Sequence, residues 1–354
     1  MTFEEQRQRL VDLNFTERQA GFLVQVLRHA GVCVPRQYCA YSGIARGRKA
    51  HEFFERLVQH RDATPHVGRD GRSRVYHLTN KRLYRAIGTP DSRLRRAHGL
   101  DRTVERLALL DHLVAHPSLL WLATEREKVD HLQQTTPLRL AELPHVTSTG
   151  TPGSITRYFP DRLPIGVSPD GRRLALVYVA WQSVPVDFRG FLFRHAEVLR
   201  ALPEWDVEVV ALTTGDAVRH AYEDAFRDEV AEPLSLSTIE ELAWYFDQLR
   251  GTPPRDRARW REARRRFGSA RFRVLYRAWQ TDGNRVLQAT SSRVLLDALS
   301  RGRGRFRYLE TGQRYRHLTP LLNRTRAPDG GVREGEHRLK RGVPPSNGRR
   351  DAWS

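Results

Sequence analysis

An Asp-Gly pair at residues 70 and 71 lies within the stretch ATPHVGRDGRSRVYHLT and separates two short strand-like runs. This pair predicts a tight β-hairpin, because both turn positions need a positive φ that Asp and Gly adopt readily. The chain on either side has helical rather than alternating patterns. The first ninety residues are therefore expected to be a helical unit with one hairpin near its end.

Three helices are predicted before the hairpin and one after it. Thr16 is placed to cap the first helix, and Gly31 to end it. Pro35 stands at the first position of a short second helix, which Gly43 ends. The third begins in the basic stretch IARGRKAHEFFERLVQH, residues 44–60, and NKRLYRAIG forms the last. The apolar face of the third helix consists of Phe53, Phe54, Leu57 and Val58.

This order of elements predicts a winged helix-turn-helix over residues 1–92. In that fold the third helix enters the major groove of DNA and the hairpin lies along the backbone. The predicted DNA contacts lie at the start of the second helix, at the head of the third and on the hairpin: Arg36, Gln37, Tyr38, Arg46, Arg48, Lys49, His51, Arg69, Arg72 and Arg74. The alternative is a winged helix that contacts proteins and whose charges are only solvated.

The net charge of +19 is unevenly distributed along the chain. Residues 1–90 carry 16 basic and 8 acidic residues, residues 91–250 carry 18 and 24, and residues 251–354 carry 26 and 9. Two basic ends around an acidic middle suit a polyanionic partner that touches both ends, and nucleic acid is the first candidate.

The middle region, residues 93–250, alternates strands with helices and predicts an α/β domain. The pair Pro160-Asp161 precedes a predicted hairpin, a helix and a further strand. This order resembles the core of the PD-(D/E)xK nucleases. Their chemistry needs an Asp and a second carboxylate to hold Mg²⁺, and a Lys to assist the attacking water.

The carboxylate set of such a nuclease is incomplete in this chain. Tyr178 and Ala180 stand where the second carboxylate and the Lys are expected, and the nearest substitutes are Asp187 and Arg189. The middle region is therefore predicted to be a degenerate restriction-endonuclease-like domain. Asp161 and Asp187 are the candidate catalytic residues if cleavage persists. Otherwise Asp161 is a turn or capping residue.

The region 251–325 is predicted to be a basic, mostly helical domain, and residues 326–354 a disordered tail rich in Gly, Pro and charge. The predicted DNA contacts of the basic domain 251–325 are Arg264, Arg265, Arg266, Arg301, Arg303 and Arg305. Aromatic residues interleave with these arginines. They either stack on bases or form an apolar surface that arginine stems cover.

Several classes of protein are excluded at this stage. There is no apolar run of about 18 residues, so no membrane span is predicted. Cys33 and Cys39 are the only cysteines, which predicts reduced, buried side chains and no structural metal. Phosphate-binding loops, nucleophile elbows and HExxH motifs are absent.

The chain resembles the replication-relaxation proteins of bacterial plasmids and integrative elements. The resemblance rests on RVYHLTNKRLYRAIG at the end of the predicted winged helix and on RYFPDRLPIGV in the α/β segment, and it covers about residues 10–215. It implies a role in plasmid replication and DNA relaxation.

The prediction is therefore a non-enzymatic protein of a mobile element that binds double-stranded DNA in the bacterial cytoplasm, at the nucleoid. The acidic middle region could contact a protein partner, and no cofactor is expected. Two alternatives stay open: a nuclease, which would need Mg²⁺, and a protein-interaction scaffold.

Overall fold

The computed structural model of the chain describes residues 1–67, 74–150, 153–251, 256–311 and Tyr315. Helices and strands both occur in the amino-terminal, middle and carboxy-terminal parts, which confirms the mixed α and β class. None of the helices in these ranges is long and apolar enough to cross a membrane. The predicted turn at Asp70-Gly71, the arginines Arg69 and Arg72, and the tail predicted for 326–354 lie outside the described residues.

The amino-terminal unit consists of helices around a small antiparallel sheet. Its helices are α1 (Phe3–Val11), α2 (Glu17–Gln25), α3 (Pro35–Ser42), α4 (Arg48–Gln59) and α5 (Lys81–Ala86). Its strands are β1 (Val32–Cys33), β2 (Ala63–Val67) and β3 (Arg74–Leu78), in the order β1-β3-β2. Strands β2 and β3 pair antiparallel, as predicted for a hairpin at this position.

Local signals explain these boundaries. The Thr16 hydroxyl accepts a hydrogen bond from the backbone amide of Gln19, and the Gln19 side chain accepts one from the amide of Thr16, a reciprocal cap that starts α2. A π-helical turn continues α2 to Gly31, where φ is 72°. Pro35 occupies the first turn of α3, and Gly43 ends that helix with φ of 62°. The sequence alone therefore marks Thr16 and Pro35 as helix starts and Gly31 and Gly43 as helix ends.

The middle of the chain forms a five-stranded sheet and a separate hairpin. The helices are α6 (Leu100–Ala115), α7 (Glu125–Thr135), α8 (Val186–Ala201) and α9 (Asp216–Phe226). The strands are β4 (Leu120–Leu122), β5 (His145–Gly150), β6 (Gly153–Tyr158), β7 (Ile165–Val167), β8 (Arg173–Ala180) and β9 (Glu204–Ala211). Strands β5 and β6 pair only with each other among the described residues.

The carboxy-terminal helices are α10 (Leu236–Arg250), α11 (Arg257–Arg266), α12 (Ala270–Asp282), α13 (Asn284–Ala289) and α14 (Val294–Ser300), and the last strand is β10 (Gly304–Glu310). The five-stranded sheet has the order β10-β9-β8-β7-β4. Strands β8, β9 and β10 are parallel, while β7 and β4 are antiparallel to their neighbours.

Helices cover both faces of this sheet. Helix α6 packs on the face that carries Val177, Val179 and Val210, and helices α8 and α9 pack on the opposite face. Successive side chains of a strand point to opposite faces. Asp206 and Glu208 therefore lie on the same face as Val210, toward α6. Two carboxylates in a core strand need partners there.

The predicted division at residue 250 is wrong in two respects. The apolar side of α10 is covered by helices α11 to α13, because Phe246 packs with Phe267, Leu275 and Trp279. Strand β10 lies within the predicted basic domain 251–325, but it hydrogen-bonds in parallel with β9 and completes the central sheet. The helical unit therefore begins at α10, and the chain returns to the sheet after it.

Candidate nucleic-acid interface

The amino end of α4 carries the basic cluster. Gly47 occupies the cap position without a side-chain hydrogen bond, and Arg48 and Lys49 follow in the first turn. All four predicted contact residues of this helix, Arg46, Arg48, Lys49 and His51, are exposed. Cations at the amino end of a helix oppose the positive end of its dipole. Their position is thus unfavourable for the helix itself.

The opposite face of α4 is buried and holds the cluster outward. The ring centroid of Phe53 lies 4.6 Å from that of Tyr38 on α3, and the centroid of Phe54 lies 4.5 Å from that of Tyr76 on β3. Ala50 and Leu57 complete the buried side. This packing anchors α4 against both α3 and the hairpin.

The cluster has few partners within the protein. Nε of Arg48 donates to Glu52 one turn later at 2.6 Å, and both side chains are largely exposed. Within the described part of the chain, Arg46, Lys49 and His51 have no ion pair of their own. An exposed pair of this kind contributes little to stability, so these cations remain available to a partner.

The start of α3 faces inward, which corrects part of the predicted contact set. Gln37 and Tyr38 are buried. The Gln37 amide nitrogen donates to the Leu107 carbonyl at 2.7 Å and to a carboxylate oxygen of Asp111 at 2.9 Å. Gln37 therefore joins α3 to α6, while the Tyr38 ring packs on Phe53. Neither side chain is exposed to contact DNA.

Arg36 is half-exposed but already engaged. Its guanidinium donates to both oxygens of Asp111, at 2.7 and 3.0 Å. Burial alone disfavours the charged form of Arg36, yet the hydrogen bonds and charge of Asp111 outweigh it and raise the pKa. The sequence did contain a signal for this contact, because Asp111 stands in the apolar stripe LALLDHL of α6 and had to find a buried partner.

The hairpin contributes one described contact candidate. Arg74, the first residue of β3, donates to the carboxylate of Glu55 on α4 at 3.1 Å. Both side chains are partly exposed. Arg74 therefore links β3 of the hairpin to α4. Arg69 and Arg72 lie in the segment that the structure does not describe.

Arg264, Arg265 and Arg266 form the last turn of α11 and are exposed. Arg265 pairs with Glu262 at 2.8 Å, and Arg266 pairs with Glu241 of α10. Cations at this end of a helix favour its dipole. Their position has a structural reason, in contrast to that of the α4 cluster.

The aromatic residues near these arginines are mostly core. Tyr245, Phe246, Phe267 and Trp279 are buried, which favours the second of the two predicted roles. Arginine guanidiniums lie over two tryptophan rings of this unit: that of Arg250 lies 4.2 Å from the ring centre of the buried Trp279, and that of Arg259 lies 4.0 Å from the half-buried Trp244. The buried rings cannot stack on nucleic-acid bases, because bases cannot reach them.

Arg301, Arg303 and Arg305 are exposed around the connection from α14 to β10. The carbonyl of Arg303 accepts a hydrogen bond from the backbone amide of Trp205, which fixes the start of β10 beside β9. These side chains lie at one edge of the central sheet, in a different element from both helix clusters.

Asp161 and Asp187 line one cavity of about 790 Å³ together with Tyr178. The carboxylate of Asp161 accepts from the Arg194 guanidinium at 2.6 and 3.4 Å. Burial raises the pKa of Tyr178 and lowers that of nearby His195 to about 4, so both side chains are neutral around pH 7. Neither aspartate belongs to a group of three metal-ligand side chains in the described residues.

Comparisons with protein-family models, curated proteins and solved structures give no match for this chain, so the resemblance to the replication-relaxation proteins stays a prediction.

Proposed function

We propose that the chain binds double-stranded DNA through its amino-terminal unit, as a protein of a bacterial mobile element. The observation that carries the proposal is the exposed cluster Arg46, Arg48, Lys49 and His51 at the amino end of α4, which the helix itself disfavours. A polyanion would compensate these charges.

The arrangement of elements supports a winged helix-turn-helix in this unit. Helix α4 follows the short helix α3, packs on it through Phe53 and presents its amino end to solvent. The hairpin β2-β3 joins α4 through Arg74 and Glu55. In this role α4 enters the major groove and the hairpin follows the phosphates. The exposed arginines of α11 and of the α14-β10 connection add phosphate contacts, and the acidic middle region is free to bind a protein partner.

A binding experiment on duplex DNA tests the proposal. Affinity should fall steeply as salt rises from 50 to 200 mM, about a thousandfold if six phosphates are contacted. Footprinting on the DNA of the element that encodes the chain should reveal a protected site. The variant Arg46→Ala with Arg48→Ala should abolish that footprint. Arg126→Ala with Arg139→Ala, which removes two exposed arginines of the acidic middle region, is the charge-matched control and should preserve it. Salt-insensitive or undetectable binding would instead favour a protein-interaction scaffold.

A metal-dependent nuclease is the second candidate. The observation in its favour is the order α6, β4, β7, β8, α8 and β9, interrupted by α7 and the hairpin β5-β6 after β4. Strands β8 and β9 are parallel and the helices α6 and α8 pack on opposite faces, as in a PD-(D/E)xK core. Plasmid nicking with Mg²⁺ or Mn²⁺ that disappears in Asp161→Ala would establish it. Nicking that persists in this variant, or none in the wild type, would reject these residues as catalytic.

A further inference from the structure

A histidine of α6, the histidine that follows this helix and a glutamate of β9 meet between the helix and the sheet. His112 lies on the side of α6 that faces the sheet, and His116 is the C-cap residue four positions later, where the backbone is no longer helical. Glu208 points from the middle of β9 toward that side. One nitrogen of each imidazole and one oxygen of the carboxylate all lie within 4.8 Å of one another.

The polar atoms of this cluster are poorly satisfied by the protein. Glu208 is fully buried and His112 is 5% exposed. Nε2 of His112 and a guanidinium nitrogen of Arg307 each approach the Glu208 carboxylate at 2.7 Å. Glu208 therefore has close partners, but both contacts are poorly aligned for hydrogen bonds. Buried groups of this kind usually have a partner that completes them.

The orientation of His116 leaves a nitrogen available for a ligand. Its Nδ1 lies 2.8 Å from the backbone carbonyl of His112. A carbonyl oxygen only accepts hydrogen bonds, so Nδ1 is the donor and Nε2 is the nitrogen that can bind a ligand. Such a backbone contact is the usual way in which a protein orients a metal-binding imidazole. His116 is half-buried, so the cluster opens to solvent on its side.

The surrounding charges favour an added cation. Glu204, Asp206 and Glu208 of β9 face two guanidiniums, those of Arg173 and Arg307. Arg307 already divides its contacts between Asp206 and Glu208. The three carboxylates of this group outnumber its two guanidiniums.

We propose that His112, His116 and Glu208 bind one divalent transition-metal ion of the zinc class, with a fourth position open to solvent beside His116. Two imidazoles and a carboxylate are a donor set that zinc accepts, whereas Mg²⁺ and Ca²⁺ prefer oxygen ligands. Bonds of about 2.1 Å to a tetrahedral ion place donor atoms about 3.4 Å apart. His116, at the open edge, is the ligand that moves to complete the site.

The ion would connect the sheet to the DNA-binding unit. It joins α6 to β9, and the residue before His112 on α6 is Asp111, which holds Arg36 and Gln37 of α3. Binding would therefore stiffen the connection between the central sheet and the amino-terminal helices. The site itself does not depend on DNA binding.

The test uses the full-length chain after treatment with a chelator, and the probe is Zn²⁺ alone. Calorimetry should detect one equivalent bound, and the thermal transition should rise with Zn²⁺ but not with the same concentration of Mg²⁺. His116→Ala should weaken Zn²⁺ binding at least tenfold. His220→Ala, which removes an exposed histidine from α9, should bind as the wild type does.

Glu208→Gln provides a second variant that preserves side-chain size, and it should also lose the zinc-dependent rise. Absence of stoichiometric binding by the wild type, or unchanged affinity in both His116→Ala and Glu208→Gln, would overturn the proposal and leave the cluster as an ion pair only. No DNA is present in this test, so its failure and that of DNA binding are distinguishable.

Discussion

The amino end of α4 and the carboxyl end of α11 carry the same kind of charge in opposite helical settings. At α4 the cations face the positive end of the helix dipole, and Arg48 is the one with a carboxylate partner in the described residues. At α11 the arginines face the negative end of the dipole, and Arg265 and Arg266 each have a carboxylate partner. The arginine and lysine count of a segment does not reveal this difference.

The two clusters differ in whether their charges stabilise the fold. The arginines of α11 stabilise their helix and cover aromatic core residues, so they have a reason to be present without any ligand. The cations of α4 have no such reason. A cluster that works against its own helix is the stronger indication of a binding partner.

The largest expected effect is on DNA recognition. Replacing Arg46, Arg48 and Lys49 by Ala should weaken binding to the specific site by about a hundredfold, equivalent to about 2.7 kcal/mol. The matched triple Arg264→Ala, Arg265→Ala and Arg266→Ala should lower affinity for specific and random duplexes equally and reduce the salt dependence. Titrations on both duplexes measure this. If both triple variants lost the preference for the specific over the random duplex to the same extent, the proposed difference between the α4 and α11 clusters would be wrong.

The next effect concerns the part of the predicted contact set that proved to be buried. Gln37→Ala should lower the free energy of unfolding by about 2 kcal/mol, because it removes two buried hydrogen bonds, to the Leu107 carbonyl and to the Asp111 carboxylate. Denaturant titration measures the change. DNA affinity at a temperature where the variant is folded should be unaffected. If the variant instead bound DNA more weakly while its free energy of unfolding was unchanged, Gln37 would have to contact DNA.

Helix ends and the hairpin were predictable from sequence because their determinants are local. Thr16, Pro35 and Gly43 act within a turn of their own positions. The inward orientation of Gln37 depends on a contact 70 residues away, at Leu107. The place of β10 beside β9, about a hundred residues earlier, and the meeting of His116 with Glu208 are equally non-local. Periodicity and spacing do not encode which distant segments pack together.

Lys128 is a third kind of cation, buried rather than exposed, and its removal should be stabilising. Burial lowers its pKa from 10.5 to about 8, with Glu127 and Asp161 opposing the shift. Below pH 8 the folded protein holds a buried charge, and as pH rises from 8 to 10.5 the unfolded chain binds more protons, so stability rises. Lys128→Met should therefore raise the free energy of unfolding by about 2 kcal/mol at pH 7. The gain should shrink toward pH 10.5, and unfolding curves at pH 7, 9 and 10.5 measure it. A pH-independent gain would refute the explanation by charge burial.

The smallest effect tests the dipole argument directly. Lys49→Glu places a negative charge in the first turn of α4 and should raise the free energy of unfolding by about 0.5 kcal/mol, although it weakens DNA binding. Arg264→Glu places the same charge in the last turn of α11 and should lower the free energy of unfolding by a similar amount. Both side chains are exposed and have no ion pair within the described residues, so neither change breaks an ion pair. Denaturant titrations at low salt measure both, and 0.5 M salt should reduce both differences. Opposite signs would establish that the α4 cluster is retained against the stability of its own helix. Equal signs would mean that the two clusters differ only in their neighbours.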